Sequence, residues 1–209
     1  MSYNIGVLIS GDGSNLNAII NNGINVKFVV SNNQKARGLL IAKKNNIPVY
    51  TFKKLLILEE EVSKLISHYK TDLLVLAGFM KILSSKFIHS LPYNSIINLH
   101  PSLLPAFQGK DAIEQALNYG VKYTGITIHY VDEGIDTGMI IDQAILSIKE
   151  DDTPITLQAR IKIIEHDLYP LTIKRLLDKK RSKKNIINEC YFEYNDDVIK
   201  KFKDINCER

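Results

Sequence analysis

The sequence predicts an α/β protein whose mixed sheet is parallel in its N-terminal half and antiparallel at its C-terminal end, with helices on both faces. Three observations carry this. Short apolar runs in the first 80 residues alternate with helical segments, the pattern that produces right-handed crossovers and parallel strands. Two later strand-like runs are joined by residues 132–138 alone, too short for a parallel return. The length of 209 residues, with 45% hydrophobic and 24% charged residues, suits one compact domain and excludes a wholly disordered chain.

Taken in order, residues 4–9 (NIGVLI) form an apolar run without alternation, as a strand buried on both faces should. The turn 10–15 follows, then a helix starting at residues 16–20. Residues 26–30 form the second strand, 35–45 a helix, and 47–52 a third strand opened by Pro48. Residues 56–69 read as a helix with Leu58, Val62, Leu65, Ile66 and Tyr69 on one face. Residues 73–77 form the most apolar strand, and 96–99 another. A helix is expected at 111–118. Strands are expected at 126–131, with Ile, Ile and Tyr alternating against Thr and His, and at 139–148. A long helix opens with Thr153 as N-cap and Pro154 at its first position, and buries Leu157, Ile161, Ile164 and Leu168. Pro170 should kink or reset it. A last helical segment is expected at 196–202.

The chemistry of whole classes is missing. No apolar run approaches the roughly 18 residues of a membrane span. Cys190 and Cys207 make neither a metal-ligand spacing nor a disulfide framework. The N-terminus has no charged region or cleavage site, so a cytoplasmic protein is expected. The net charge is +4, yet residues 174–184 alone hold seven basic residues and one acid. The excess therefore marks a helix end and a solvated tail rather than a nucleic-acid face.

Three constellations could carry chemistry. Ser10-Gly11-Asp12-Gly13-Ser14-Asn15 turns a strand into a helix, whose free N–H groups and positive dipole end suit an anion. It lacks the third glycine of a dinucleotide fingerprint and the lysine of a Walker loop, which leaves a small phosphate monoester or a plain structural turn. Asn98-Leu99-His100 leaves a strand at its carboxyl end, with an amide and an imidazole on one face. Asp132-Glu133-Gly134-Ile135-Asp136-Thr137-Gly138 is either a solvated turn or the source of a carboxylate that approaches His100 and favours its charged form.

Residues 9–15 (ISGDGSN), 76–83 (LAGFMKIL), 98–107 (NLHPSLLPAF) and 125–138 (GITIHYVDEGIDTG) together resemble the formyltransferases that use 10-formyltetrahydrofolate, and among them the glycinamide ribonucleotide formyltransferases of purine synthesis. The similarity runs from about residue 4 to about residue 178. It implies a Rossmann-like formyltransferase domain over residues 1–178, with 179–209 a tail and no separate domain. It implies catalytic roles for Asn98, His100 and Asp136, and a ribose-phosphate site at Gly13, Ser14 and Asn15. Glu165 matches the contact to the glycinamide end of the substrate. Read from the residues alone, Glu165 pairs equally well with Lys162 at i,i+3. Met80, Lys81, Ile82 and Leu83, with Asn98 and Asp136, would hold the folate.

One stretch departs from the family. Its members often carry an Arg near the folate's benzoyl-glutamate tail, where this chain has Lys53-Lys54-Leu55-Leu56 in a shortened segment. The implied activity is formyl transfer from 10-formyltetrahydrofolate to the amine of glycinamide ribonucleotide in the cytoplasm. It needs small-molecule substrates, no metal, no nucleic acid and no membrane, in a monomer or homodimer. The alternatives are a methionyl-tRNA formyltransferase core, for which the roughly 30 residues after Asp178 are too few, a formyltetrahydrofolate deformylase, for which an N-terminal regulatory domain is expected, and a non-catalytic nucleotide-binding module.

Overall fold

The computed structural model describes residues 3–183. Seven strands form one sheet: β1 (Ile5–Ile9), β2 (Val26–Ser31), β3 (Val49–Thr51), β4 (Leu73–Leu76), β5 (Ile96–His100), β6 (Tyr123–Tyr130) and β7 (Ile140–Ser147). Their order is β3-β2-β1-β4-β5-β6-β7. β1 to β5 pair in parallel, while β6 runs antiparallel to both β5 and β7. The mixed sheet is as expected from sequence.

Among the described residues five helices connect strands, α1 (Ser14–Asn21), α2 (Gly38–Lys44), α3 (Leu55–Tyr69), α4 (Ser85–Ser90) and α5 (Ala112–Tyr119), and α6 (Pro154–Lys183) follows β7. On one face of the sheet, Leu8, Phe28, Val30, Leu74, Leu76 and Ile96 pack against Leu58 and Val62 of α3 and Phe87 of α4. α6 reaches the sheet from its own buried stripe. Its Tyr169 is fully buried and donates its hydroxyl to the carbonyl of Leu76 at 2.9 Å.

Two helices, α2 and α4, depart from the expected elements, and Pro170 does not end the last one. α2 starts at Gly38, not at residue 35, because Asn33 builds a side-chain turn first: its Oδ1 accepts the N–H of Lys35 at 2.9 Å. α4 went unseen, since six residues carry too little periodicity to register. Pro170 lies inside α6, which runs through it to Lys183 as one element. One lost backbone bond is outweighed there because the buried stripe resumes beyond it, with Thr172, Ile173 and Leu177. The N-terminus of α6 is as expected: Thr153 Oγ1 accepts the N–H of Thr156 at 3.2 Å.

Contacts divide the chain after Leu177. The first unit holds the whole sheet. Of the second, only residues 178–183, the end of α6, are described. Cys190, Cys207, the helix expected at 196–202 and all but the start of the 179–209 tail lie outside the described residues. Among the described residues no helix is long and apolar enough to cross a membrane.

In open α/β sheets ligands bind beyond the carboxyl ends of the strands, where the chain order reverses. Here that point lies between β1 and β4. The turn after β1 and the loop after β4 are sewn together there. Ser10 donates its N–H to the Gly78 carbonyl at 3.0 Å, and its hydroxyl accepts the N–H of Met80 at 2.8 Å.

Candidate active site

β5 ends at His100, and its antiparallel neighbour β6 places His129 directly opposite Asn98. The connection from β6 to β7 returns across this end of the sheet and carries Asp136, at a φ of 55°. That left-handed backbone turns the carboxylate inward, and Asp and Asn are among the few residues that tolerate it.

Four donors surround that carboxylate. Oδ2 of Asp136 lies 3.2 Å from His100 Nδ1 and accepts the N–H of Gly109 at 2.9 Å. Oδ1 lies 3.5 Å from His129 Nε2 and 3.4 Å from Asn98 Nδ2. Burial pushes the Asp136 carboxyl up. The hydrogen bonds from His129 and Gly109 and the charges of His100 and His129 outweigh it and hold the group below its ordinary value.

His100 is buried, with 4% of its surface exposed. Its Nε2 lies 2.8 Å from the carbonyl of Phe107. A carbonyl only accepts, so Nε2 carries a hydrogen. The ionised Asp136 beside Nδ1 also only accepts, so both ring nitrogens face acceptors. The Phe107 carbonyl is held by a strapped loop. Thr127 Oγ1 donates to the Ser102 carbonyl at 2.7 Å and accepts the N–H of Leu104 at 3.0 Å, and Ser102 Oγ donates to the Ala106 carbonyl at 2.6 Å.

His129 did not stand out in the sequence, where it read as one residue of an alternating strand. In the structure it is 3% exposed. Its Nδ1 lies 2.8 Å from the Tyr130 carbonyl, so Nδ1 carries a hydrogen, and its Nε2, which faces Asp136, lies 3.2 Å from Asn98 Nδ2. The signal was the β5–β6 register, which residue spacing across an intervening helix does not reveal.

The turn after β1 is shaped by close packing. Gly13 sits at φ 77°, and a Cβ there would come within 2.4 Å of the Gly38 Cα. Its carbonyl accepts the first helical bond, from Asn17, so the N–H groups ahead of Asn17 find no acceptor within α1. The Asn15 side chain is engaged by another helix. Its Nδ2 donates to Glu165 Oε2 at 2.8 Å, and its Oδ1 is buried without a partner among the described residues. Glu165 is 7% exposed. Its partner is Asn15, and among the described residues it forms no close ion pair with Lys162. Two residues assigned to opposite ends of a substrate are thus one hydrogen-bonded pair.

Burial pushes the Glu165 carboxyl up, against the hydrogen bond from Asn15 and the attraction of Lys162. Ionising it therefore costs stability as pH rises through that raised value, and costs nothing below the ordinary glutamate value, where it is neutral folded and unfolded. Glu165→Gln is expected to melt a few degrees higher than wild type at pH 8 and at the same temperature near pH 4, with about 2–4 °C per kcal/mol at this chain length. An equal difference at both pH values refutes the burial assignment.

The loop after β4 presents Met80, Lys81 and Ile82 to solvent, with Met80 77% and Ile82 63% exposed. Leu83 does not join them. It is 5% exposed and belongs to the core cluster. His89 of α4 pairs with Glu133 at 3.0 Å, tying this side of the crevice to the loop that carries Asp136. Lys53 lines a pocket of about 530 Å³ with Ser10, Asn32, Asn33, Gln34, Lys35 and Met80, while Lys54 is the N-cap of α3. Among the described residues no group of three or more His, Cys, Asp or Glu side chains is gathered as a metal site requires.

The formyl transferase family profile matches residues 3–173. Phosphoribosylglycinamide formyltransferase of Bacillus subtilis is 38% identical over 182 residues, covering 82% of this chain and 93% of that protein. The human trifunctional purine biosynthetic protein adenosine-3 is 38% identical over 181 residues, but the chain spans only 18% of its length. The crystal structure of phosphoribosylglycinamide formyltransferase from Anaplasma phagocytophilum superposes with a TM-score of 0.83 at 43% identity, over 86% of this chain and 89% of that one.

Proposed function

The chain belongs to the formyl transferase family, and on that premise we propose that it transfers a formyl group from 10-formyltetrahydrofolate to the amine of glycinamide ribonucleotide, a step of purine synthesis. The observation that carries the reading is the Asp136 carboxylate, gathered with Asn98, His100 and His129 beyond the carboxyl ends of β4 and β5. A solvated turn has no use for a buried carboxylate among four donors.

The residues fit the two ligands. The exposed stretch from Met80 to Ile82, with Leu83 anchoring it in the core, offers its backbone polar groups to the folate ring beside Asn98 and Asp136. The first turn of α1 offers N–H groups of Ser14 and Asn15 to the ribose phosphate, and Gly13 lets the backbone come close. Glu165 then meets the glycinamide end, oriented by Asn15. The folate supplies a formyl carbon already activated by its nitrogen.

At that carbon, Asn98 Nδ2–H donates to the formyl oxygen as negative charge builds during attack by the amine. A donor so placed is worth about 10²–10³ in kcat in other enzymes. His100 gives its proton to the departing nitrogen, directly or through water, and collects one from the attacking amine. To reach either, one ring nitrogen exchanges a protein partner for substrate, and the Phe107 carbonyl is the weaker claim of the two. Asp136 stays ionised throughout, orients the ring and balances its charge. His129 shares Asp136 Oδ1 with Asn98 and so keeps that oxygen turned toward the amide, which leaves the second Nδ2 hydrogen for the substrate. We assign this unit to residues 1–178, working in the cytoplasm on small molecules as a monomer or homodimer without a metal.

An assay offering glycinamide ribonucleotide, initiator methionyl-tRNA and water as competing acceptors tests the reading. Formylglycinamide ribonucleotide should dominate, and formate or formyl-methionyl-tRNA as main product refutes it. Ser14→Ala with Asn15→Ala should raise the KM for the ribonucleotide about tenfold, equivalent to ~1.4 kcal/mol, and leave the folate KM unchanged. The double variant keeps the backbone N–H groups but loses the Ser14 hydroxyl at the phosphate and the Asn15 bond that orients Glu165 at the glycinamide end, both of them ribonucleotide contacts. A rise in the folate KM instead would move the turn to the other ligand.

A further inference from the structure

The loop after β4 has two anchors, and the second is a buried acid on another helix. Glu59 of α3 is 5% exposed. Its Oε1 accepts the N–H of Ser84 and its Oε2 accepts the Ser84 hydroxyl, both at 2.6 Å. Ser84 is the N-cap of α4, and its Oγ also accepts the N–H of Phe87 at 3.2 Å. One carboxylate thus fixes both the backbone and the rotamer of the residue that ends the loop. At the other end Ser10 holds Gly78 and Met80. Between these anchors lie the three exposed residues Met80, Lys81 and Ile82, and Leu83, whose side chain is sunk into the core.

A carboxylate in this position is expensive. It leaves water for a site beside Leu58 and Val62 on the same helix, and burying such a group is costly unless hydrogen bonds replace its hydration. Packing alone would be served better by an apolar residue. Capping alone would be served by Ser84, which already holds the Phe87 N–H. What Glu59 adds is a fixed position for Ser84, and through it for the backbone of the preceding loop.

We infer that Glu59 is a positioning residue for folate binding, holding the Met80–Leu83 backbone in the geometry that receives the cofactor ring. This rests on the reading that the folate occupies that loop. Glu59 touches neither substrate. Its effect is confined to the ligand whose binding edge it holds, because the α1 turn and the Asp136 cluster are anchored by other groups.

The test is steady-state kinetics of Glu59→Ala, Glu59→Gln and Ser84→Ala. Glu59→Ala should raise the KM for 10-formyltetrahydrofolate about tenfold, with kcat and the ribonucleotide KM within about twofold of wild type. Glu59→Gln should recover most of the loss, since its amide oxygen still accepts the Ser84 N–H. Ser84→Ala keeps that bond, loses the hydroxyl, and should give an intermediate rise. Should Glu59→Ala fail to fold, the other two variants carry the comparison. A folate KM unchanged in both, or KM values for the two substrates rising together, overturns the inference. A proton–nitrogen correlation spectrum of wild type with tetrahydrofolate separates this from failure of the underlying reading. If the Met80–Leu83 amides shift and the variants bind folate normally, only the role of Glu59 is refuted. If those amides do not move, the loop is not the folate site and both fall.

Discussion

Asp136→Asn is expected to lower kcat by about 10³-fold or more while the variant still folds. Asn tolerates the left-handed backbone at this position as readily as Asp, so the substitution isolates the carboxylate from the turn. The loss follows from counting hydrogens. Asp136 meets donors on both oxygens, with His100 and Gly109 at Oδ2 and His129 and Asn98 at Oδ1. An amide has one oxygen, so whichever way it turns, its NH₂ faces two groups that need an acceptor. Either His100 loses its counter-charge or Asn98 and His129 lose their alignment. Each orphaned buried donor costs about 1–3 kcal/mol, so the variant should also melt lower at neutral pH. The carboxyl is held below its ordinary value in the folded chain. Its contribution to stability is therefore full above about pH 4 and is lost as pH falls through the lowered folded value. The melting temperatures of wild type and variant should converge in acid. Activity within twofold of wild type, or a stability gap that widens in acid, contradicts this account.

Much of this site was legible because its chemistry sits at strand ends. Alternation along β5 put Asn98 and His100 on one face, and the glycines and acids of residues 132–138 marked a loop able to return a carboxylate. The same reasoning passed over His129. Its partner in register, Asn98, is 31 residues away across α5, and nothing local distinguishes it from the neighbouring strand residues. The apolar runs revealed β1, β2 and β4 since buried parallel strands are continuous apolar stretches. Periodicity missed α4, whose six residues carry too little of it to register even behind the Ser84 cap.

The same limit applies to the roles given to side chains near the ligands. Leu83 and Asn15 lie in segments that read as ligand-binding, yet one points into the core and the other is spent on Glu165. Glu59 is the converse. It belongs to a run of three glutamates on an amphipathic helix, and only the arrival of Ser84 from a separate loop separates it from Glu60 and Glu61. Sequence locates a segment at a site. Which of its atoms face the ligand depends on partners brought in from elsewhere.

His100→Ala should lower kcat by about 10²–10⁴-fold and leave the affinity for both substrates, measured by calorimetry, within about threefold. The ring contacts no bound group at rest that a ligand would need. Both its nitrogens are given to the protein, Nδ1 to Asp136 and Nε2 to the Phe107 carbonyl. Its bonds to the reacting atoms form as the proton moves, so removing it withdraws transition-state rather than ground-state stabilisation. A competing account makes His100 a buried strut between β5 and the loop that ends at Phe107. Truncation would then release that loop and weaken binding of both ligands, with kcat falling only as a consequence. Added imidazole separates the two. The variant leaves a space the size of the lost ring, lined by a carboxylate and a carbonyl, both acceptors for a small cation. If His100 works through its proton, imidazole should restore part of kcat with little change in either affinity. If it is a strut, a loose molecule cannot reconnect the chain, and calorimetry would show both ligands lost with no recovery.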